Sequence, residues 1–169
     1  MRIAKFIASS GLCSRRDAEK LILDRKVQVD GVIIDSPALN IEAHNIVKVC
    51  DKKIDKIPES KIWLYYKPVG LITTHSDPQN RPTIFDELKG KLPRVISVGR
   101  LDINSEGLLI LTNNGDIVRY FESPKNNIER IYKVRAFGSG VINIQNKKIV
   151  IDGITYRPKS IKLIKKGVS

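Results

Sequence analysis

Residues 97–116 read SVGRLDINSEGLLILTNNGD. A β-branched run ends at Val98, and Gly99 opens a turn that carries Arg100 and Asp102. Gly107 then leads into an apolar run at residues 108–111, and Asn113, Asn114 and Gly115 turn the chain into the helical pattern DIVRYFES. The run GLLILT lacks alternation, which predicts a strand buried on both faces. Strand, charged turn, strand and helix form the frame of an α+β domain. That frame leaves Asp102 exposed between an arginine and a buried strand.

The flanks extend the frame. IWLYY, from Ile62, is a strand, and KPVG turns it through Pro68 and Gly70. Thr83 and Asp86 have capping-box spacing ahead of the short helix IFDELKG, and RVISV is the strand that enters the Asp102 turn. IYKVRAFG reads as a further strand, and KIVIDGITYRPKSIKLIKK as a hairpin about Asp152-Gly153. A mostly antiparallel sheet with helices follows. A short acid at a strand end commonly accepts local backbone N–H groups, so Asp102 taken alone reads as an Asx-type turn residue. Neither His44 nor His75 stands near it, and no metal spacing includes either. Any chemistry here is carboxylate chemistry, with no metal.

Residues 1–50 follow a different pattern. Ile3, Phe6 and Ile7 give one helical face, and Gly11 ends that helix. Ser14 and Asp17 cap a second helix with the stripe Ala18, Leu21 and Ile22. Arg15 and Arg16 occupy its first turn, where the helix dipole disfavours cations. Two guanidinium forks beside free N–H groups suit a phosphate; the alternative is that Asp17 and Glu19 merely offset them. KVQVDGVIID is a hairpin about Asp30-Gly31, and NIVKVC closes the unit. Residues 51–61, DKKIDKIPESK, mix both charges around Pro58 and read as a solvated linker.

Charge is uneven along the chain. It has 169 residues, with 30 Lys and Arg against 18 Asp and Glu, a net of +12. Residues 1–60 contribute +2 and residues 61–169 contribute +10. Such an excess points to a polyanionic partner, nucleic acid first. Cys13 and Cys50 lack metal or disulfide spacing and read as core thiols in a reducing compartment. With no secretory leader pattern and no apolar run of about 20 residues, a cytoplasmic protein without a membrane span is expected.

The two halves resemble known families. SRRDAE at a helix start followed by VQVDGVIID resembles an S4 RNA-binding domain, over about residues 2–50. VGRLDINSEGLLILTNNGD resembles the central motif of RsuA-type pseudouridine synthases, which join an S4 domain to a catalytic domain. YYKPVG at residues 65–70 and RIYKVRAFG at residues 130–138 resemble the motifs that flank it, and the wording around NNIERIYKVRAFG is similar to members that modify large-subunit ribosomal RNA. The resemblance implies an S4-like α/β module at 1–50, a linker at 51–61, and a synthase domain at 62–169 that lacks the C-terminal part of the family pattern.

It also implies roles. Asp102 matches the catalytic aspartate, acting on the sugar C1′ as nucleophile or charge stabiliser, with attack on the ring as the alternative. Arg100 would fill the space of a flipped uridine, and Tyr132 would pack on the base. Lys67, Pro68, Gly99 and Gly107 would shape the pocket and loop, and Arg15 and Arg16 would contact RNA. No cofactor is implied, because the base never leaves. The expected partner is ribosomal RNA, joined by a separate C-terminal fragment if the missing segment is supplied in trans. Without that segment Asp102 is expected to lack a cationic partner, and a catalytically inactive RNA-binding protein of the same ancestry is the alternative.

Overall fold

Local capping sets the first two helices. α1 (Ile3–Ser9) is followed by Gly11 at φ 86°, a left-handed turn that glycine adopts without strain. α2 (Arg15–Leu23) begins where Ser14 Oγ accepts the Asp17 N–H at 3.1 Å and donates to Asp17 Oδ2 at 2.6 Å. The computed structural model describes residues 1–135, 149–156, 158–162 and 164. Residues 136–138 of the expected strand, and Arg157, Lys165 and Lys166, lie outside the described residues. By contacts the chain falls into two units, Met1–Ile128 and Glu129–Ser169.

In the first unit, β1 (Val27–Val29) and β2 (Val32–Ile34) form the expected hairpin, with Asp30 at φ 51° and Gly31 at φ 86°. Positive φ at both central residues is the type I′ turn that matches strand twist. Asp30 also accepts from Ile46 N at 2.8 Å and Asn45 Nδ2 at 2.6 Å, which ties the turn to the next strand and holds its carboxyl below the usual range. β3 (Val47–Val49) pairs with β1, and β4 (Lys52–Lys53) pairs with β3, giving the order β2-β1-β3-β4. Ile3, Ala4, Ile7, Ala18, Ile22, Val27, Ile41, Val47 and Val49 close the core. Each fully buried Ile contributes about 1.5–3 kcal/mol.

Two expectations are corrected here. The linker does not begin at 51, because Lys52 and Lys53 extend the sheet and Ile54 packs on its core. Its far end is tied too, with Lys61 N donating to Asn113 Oδ1 at 2.8 Å and Asn113 Nδ2 to the Glu59 carbonyl at 2.8 Å. Cys50 is exposed, not a core thiol, because it sits in the β3–β4 turn at φ 46°. Cys13 is half-buried, and burial pushes its thiol pKa up.

The rest of the first unit is a three-stranded antiparallel sheet, β5 (Ile62–Lys67), β6 (Ile96–Val98) and β7 (Gly107–Thr112), in the order β5-β7-β6. α3 (Ile84–Leu88) starts with the full capping box predicted from Thr83 and Asp86. Its Ile84 and Leu88 join Val95, Leu109 and Leu111, with Trp63, Tyr65 and Leu101 packed alongside. α4 (Gly115–Glu122) follows β7, and its Asp116 takes two 2.8 Å hydrogen bonds from Lys5 Nζ of α1.

β7 is not buried on both faces. Leu109 and Leu111 are buried but Leu108 is 66% exposed, alongside Leu64 at 75% and Tyr66 at 64%. The core built around α3 covers only the face that holds Trp63, Tyr65 and Leu109.

In the second unit, β8 (Ile149–Ile151) and β9 (Ile154–Tyr156) form the expected hairpin, with Asp152 at φ 50° and Gly153 at φ 77°. Residues 131–135 are not in a strand, contrary to expectation. An extended run becomes a strand only by pairing, and among the described residues they have no ladder partner. No helix among the described residues is long and apolar enough to cross a membrane.

Candidate active site

The β5–β7 ladder ends at the pair Lys67↔Gly107, but the two chains stay bonded beyond it. Lys67 Nζ donates to the Ser105 carbonyl at 2.7 Å, and Gly70 N donates to the Ile103 carbonyl at 2.8 Å. Thr73 Oγ1 donates to the Leu101 carbonyl at 3.0 Å and accepts from Leu101 N at 3.4 Å. These ties fall at 67/105, 70/103 and 73/101, so the segment after β5 tracks the turn before β7 in antiparallel sense. Two of the three use side chains in place of ladder amides. Gly99 N donates to Glu122 Oε1 at 2.8 Å, which pins the entrance of the turn to the end of α4.

Glycine is needed at both ends of this loop. Gly99 sits at φ 71° and Gly107 at φ 126°, conformations that L side chains rarely adopt. Between them Leu101 packs on the core, while Arg100 and Asp102 on either side of it are exposed. The alternation sends both charged side chains outward. The Asp102 backbone carbonyl, not its carboxylate, closes the turn, accepting from Ser105 N at 3.0 Å. The Asx-type reading therefore does not describe this residue. Its carboxylate carries no hydrogen bond among the described residues.

Lys67 gives Asp102 a nearby cation, where none was expected. Strand parity puts Trp63, Tyr65 and Lys67 on the core side, and Lys67 is fully buried. Its ammonium reaches the Pro68 carbonyl at 2.9 Å as well as Ser105. Burial pushes its pKa below the usual range, and the charge of Asp102 pulls it back up. Next to it on the open face, the Tyr66 phenol is raised by its hydrogen bond to Glu106.

Lys67, Pro68, Gly99, Arg100, Asp102 and Gly107 are thus gathered on one loop and its support. Tyr132 belongs to the second unit, where it is 66% exposed. In the N-terminal module Arg16 is exposed, and Arg15 Nε lies 3.4 Å from Glu19 Oε1, which offsets one of the two charges. Thr73 and Glu122 were not found from sequence, and Gly70 was read as a turn residue without its tie to Ile103. Their partners lie 23 to 33 residues away in the chain, beyond any local motif. Among the described residues no group of three or more His, Cys, Asp and Glu is placed to hold a metal ion.

An RNA pseudouridylate synthase family profile matches residues 61–167. The chain belongs to this family. Membership makes it an isomerase with RNA as its substrate class, and an S4 domain profile matches residues 1–47 in front of the synthase domain. An uncharacterized RNA pseudouridine synthase of Rickettsia felis is 55% identical over 170 residues, covering 99% of this chain and 74% of that protein. The ribosomal large subunit pseudouridine synthase B of Haemophilus influenzae is 38% identical over 148 residues, covering 81% of this chain and 40% of that protein. A crystal structure of a pseudouridylate synthase superposes with a TM-score of 0.50 at 23% identity, covering 98% of this chain and 73% of the other. At that identity the likeness bears on the fold, which is the α+β arrangement expected from the sequence.

Proposed function

We propose that this synthase isomerises one uridine of ribosomal RNA, in the large subunit, with Asp102 as the catalytic carboxylate. The observation that carries this is the Asp102 side chain itself: exposed, without a hydrogen bond among the described residues, on a backbone tied at 101, 103 and 105. A carboxylate with no hydrogen bond to satisfy it, on a fixed backbone, is available to a substrate.

In the proposed reaction the uridine leaves its stack, at a cost of a few kcal/mol, and Arg100 fills the vacated space. The Asp102 carboxylate attacks C1′ as the N1–C1′ bond breaks, or stabilises the charge that develops there. The base turns, C5 bonds to C1′ as any bond from C1′ to the Asp102 carboxylate breaks, and the C5 proton passes to solvent while N1 takes one up, with Tyr132 packed on the ring. No small-molecule cofactor is required, because the base never leaves, the product is an isomer of the substrate and only a proton is exchanged with water. Arg15 and Arg16 would hold RNA phosphates. The domain division proposed with this is an S4-like module from residue 1 that continues into β4, a link ending at 61 and a synthase domain at 62–169, and the proposed partner is ribosomal RNA. A cytoplasmic location follows from that substrate. The large-subunit assignment is supported by the relatives of that name.

The test is tritium release from C5-labelled uridine in ribosomal RNA. Asp102→Asn keeps the side chain's size and removes the charge, so isomerisation should be abolished while RNA affinity stays within about twofold, since affinity rests on the basic surface. Activity in the Asn variant would return Asp102 to a structural role. An inactive wild type that still binds RNA would favour a protein that binds without isomerising.

A further inference from the structure

The geometry points to Thr73 as a positioning residue for the Arg100-Leu101-Asp102 turn, a role that rests on Asp102 acting on uridine as proposed above. Thr73 is 5% exposed, and its hydroxyl is the group that meets both the N–H and the C=O of Leu101. Leu101 is the residue between the two charged side chains the reaction would use. Its backbone has no ladder partner, because β6 ends at Val98 and β7 starts at Gly107. A partly buried N–H and C=O left unmet cost free energy, so one hydroxyl satisfying both favours holding this peptide in place.

Thr73 is itself held. The preceding residue, Ile72, donates to the Pro82 carbonyl at 3.1 Å and accepts from Ile84 N at 3.0 Å at the start of α3. That start is locked by the Thr83–Asp86 capping box. The position of Leu101 is therefore set by α3 through Thr73, independently of the Lys67 and Gly70 ties further along the loop. Thr73 makes no hydrogen bond to either charged side chain of the turn, so its hydroxyl acts on them through the Leu101 backbone.

Two variants separate positioning from packing. Thr73→Val keeps the shape and deletes the hydroxyl, and Thr73→Ser keeps the hydroxyl and deletes a methyl. Displacing a reacting group by about 1 Å costs roughly 100-fold in rate. The Val variant is expected to lose about 10- to 100-fold in kcat with KM for ribosomal RNA within twofold, and the Ser variant to stay within about threefold of wild type. Hydrogen exchange of the Leu101 amide, read by NMR on the full chain without RNA, should speed up at least tenfold in Val and little in Ser. Wild-type kcat and unchanged Leu101 exchange in Val would overturn the proposal, as would equal losses in Val and Ser. If the wild type itself released no tritium, the catalytic reading would fail on its own, and the exchange arm would still decide whether Thr73 holds the turn.

Discussion

Arg15 and Arg16 stand in water at the start of α2, whereas Lys67 is fully buried at the end of β5. The two regions handle positive charge in opposite ways. The N-terminal module closes its core with apolar residues and leaves its cations on the surface, where Arg15 finds an acid four residues on. Such an exposed pair contributes only a few tenths of a kcal/mol, about 0.3–0.5. The sheet region places a lysine on its core face and meets the ammonium with two backbone carbonyls and a nearby carboxylate. A surface cation is free to meet a ligand. A buried cation organises the backbone around it, and here that backbone carries Asp102.

The largest break in this comparison comes from Lys67→Met, which keeps most of the stem's volume and deletes the ammonium. The Pro68 and Ser105 carbonyls lose their donor, at about 1–3 kcal/mol for each group left unmet, while the desolvation of the charge is relieved. A net loss of about 1–3 kcal/mol is expected from urea unfolding followed by circular dichroism. Tritium release should fall to background, because both Ser105 and Asp102 lose their hold. An unfolding midpoint equal to wild type would show that Lys67 is an accessory of the loop and not its organiser.

What could be read from sequence follows the same division. Ser14, Thr83 and the two Asp-Gly turns were legible because a cap or a tight turn is settled within four residues. Asp102 was legible through its motif, and its exposure followed from the turn. The tie from Thr73 to Leu101 was not, since 28 residues separate them and a threonine hydroxyl advertises no particular partner. Leu108 misled for a related reason. An unbroken apolar run says that a strand is apolar on both sides, but whether both sides are covered depends on elements elsewhere in the chain. The cation beside Asp102 was sought further along the sequence, while the strand parity of IWLYYK already put Lys67 on the core face.

A smaller effect is expected from the surface cations. Arg15→Ala with Arg16→Ala should leave the urea midpoint within about 0.5 kcal/mol of wild type, as exposed substitutions usually do. RNA affinity should drop, and the slope of log K against log salt should flatten by about one unit per lost phosphate contact. Filter binding at four or five salt concentrations measures this. An unchanged slope would mean that Glu19 and Asp17 already neutralise the pair, and that RNA reaches the module by another face.

The smallest effect concerns acid, where the two regions again use one device with different partners. In the N-terminal module, backbone and amide donors hold Asp30 below the usual carboxylate range. In the sheet region Arg81 holds Asp77 down to about 2, through contacts of 2.9 Å from its N–H, 3.1 Å from Nε and 2.8 Å from Nη2. A carboxyl whose folded pKa is depressed contributes stability that is fully present above its unfolded pKa, about 3.9, and lost as pH falls through the folded value. For Asp77 that window runs from about pH 4 down to about 2. Arg81→Met removes two of the three contacts and leaves the backbone N–H, so the Asp77 pKa should rise part of the way toward its ordinary value. Asp30 shares no hydrogen bond with Arg81, and its titration should not move. Carboxyl-carbon NMR titration between pH 2 and pH 6 reads both residues in one sample. Equal shifts at Asp30 and Asp77 would mean that the two regions unfold together in acid, and the contrast between their local electrostatics would then have no bearing on stability.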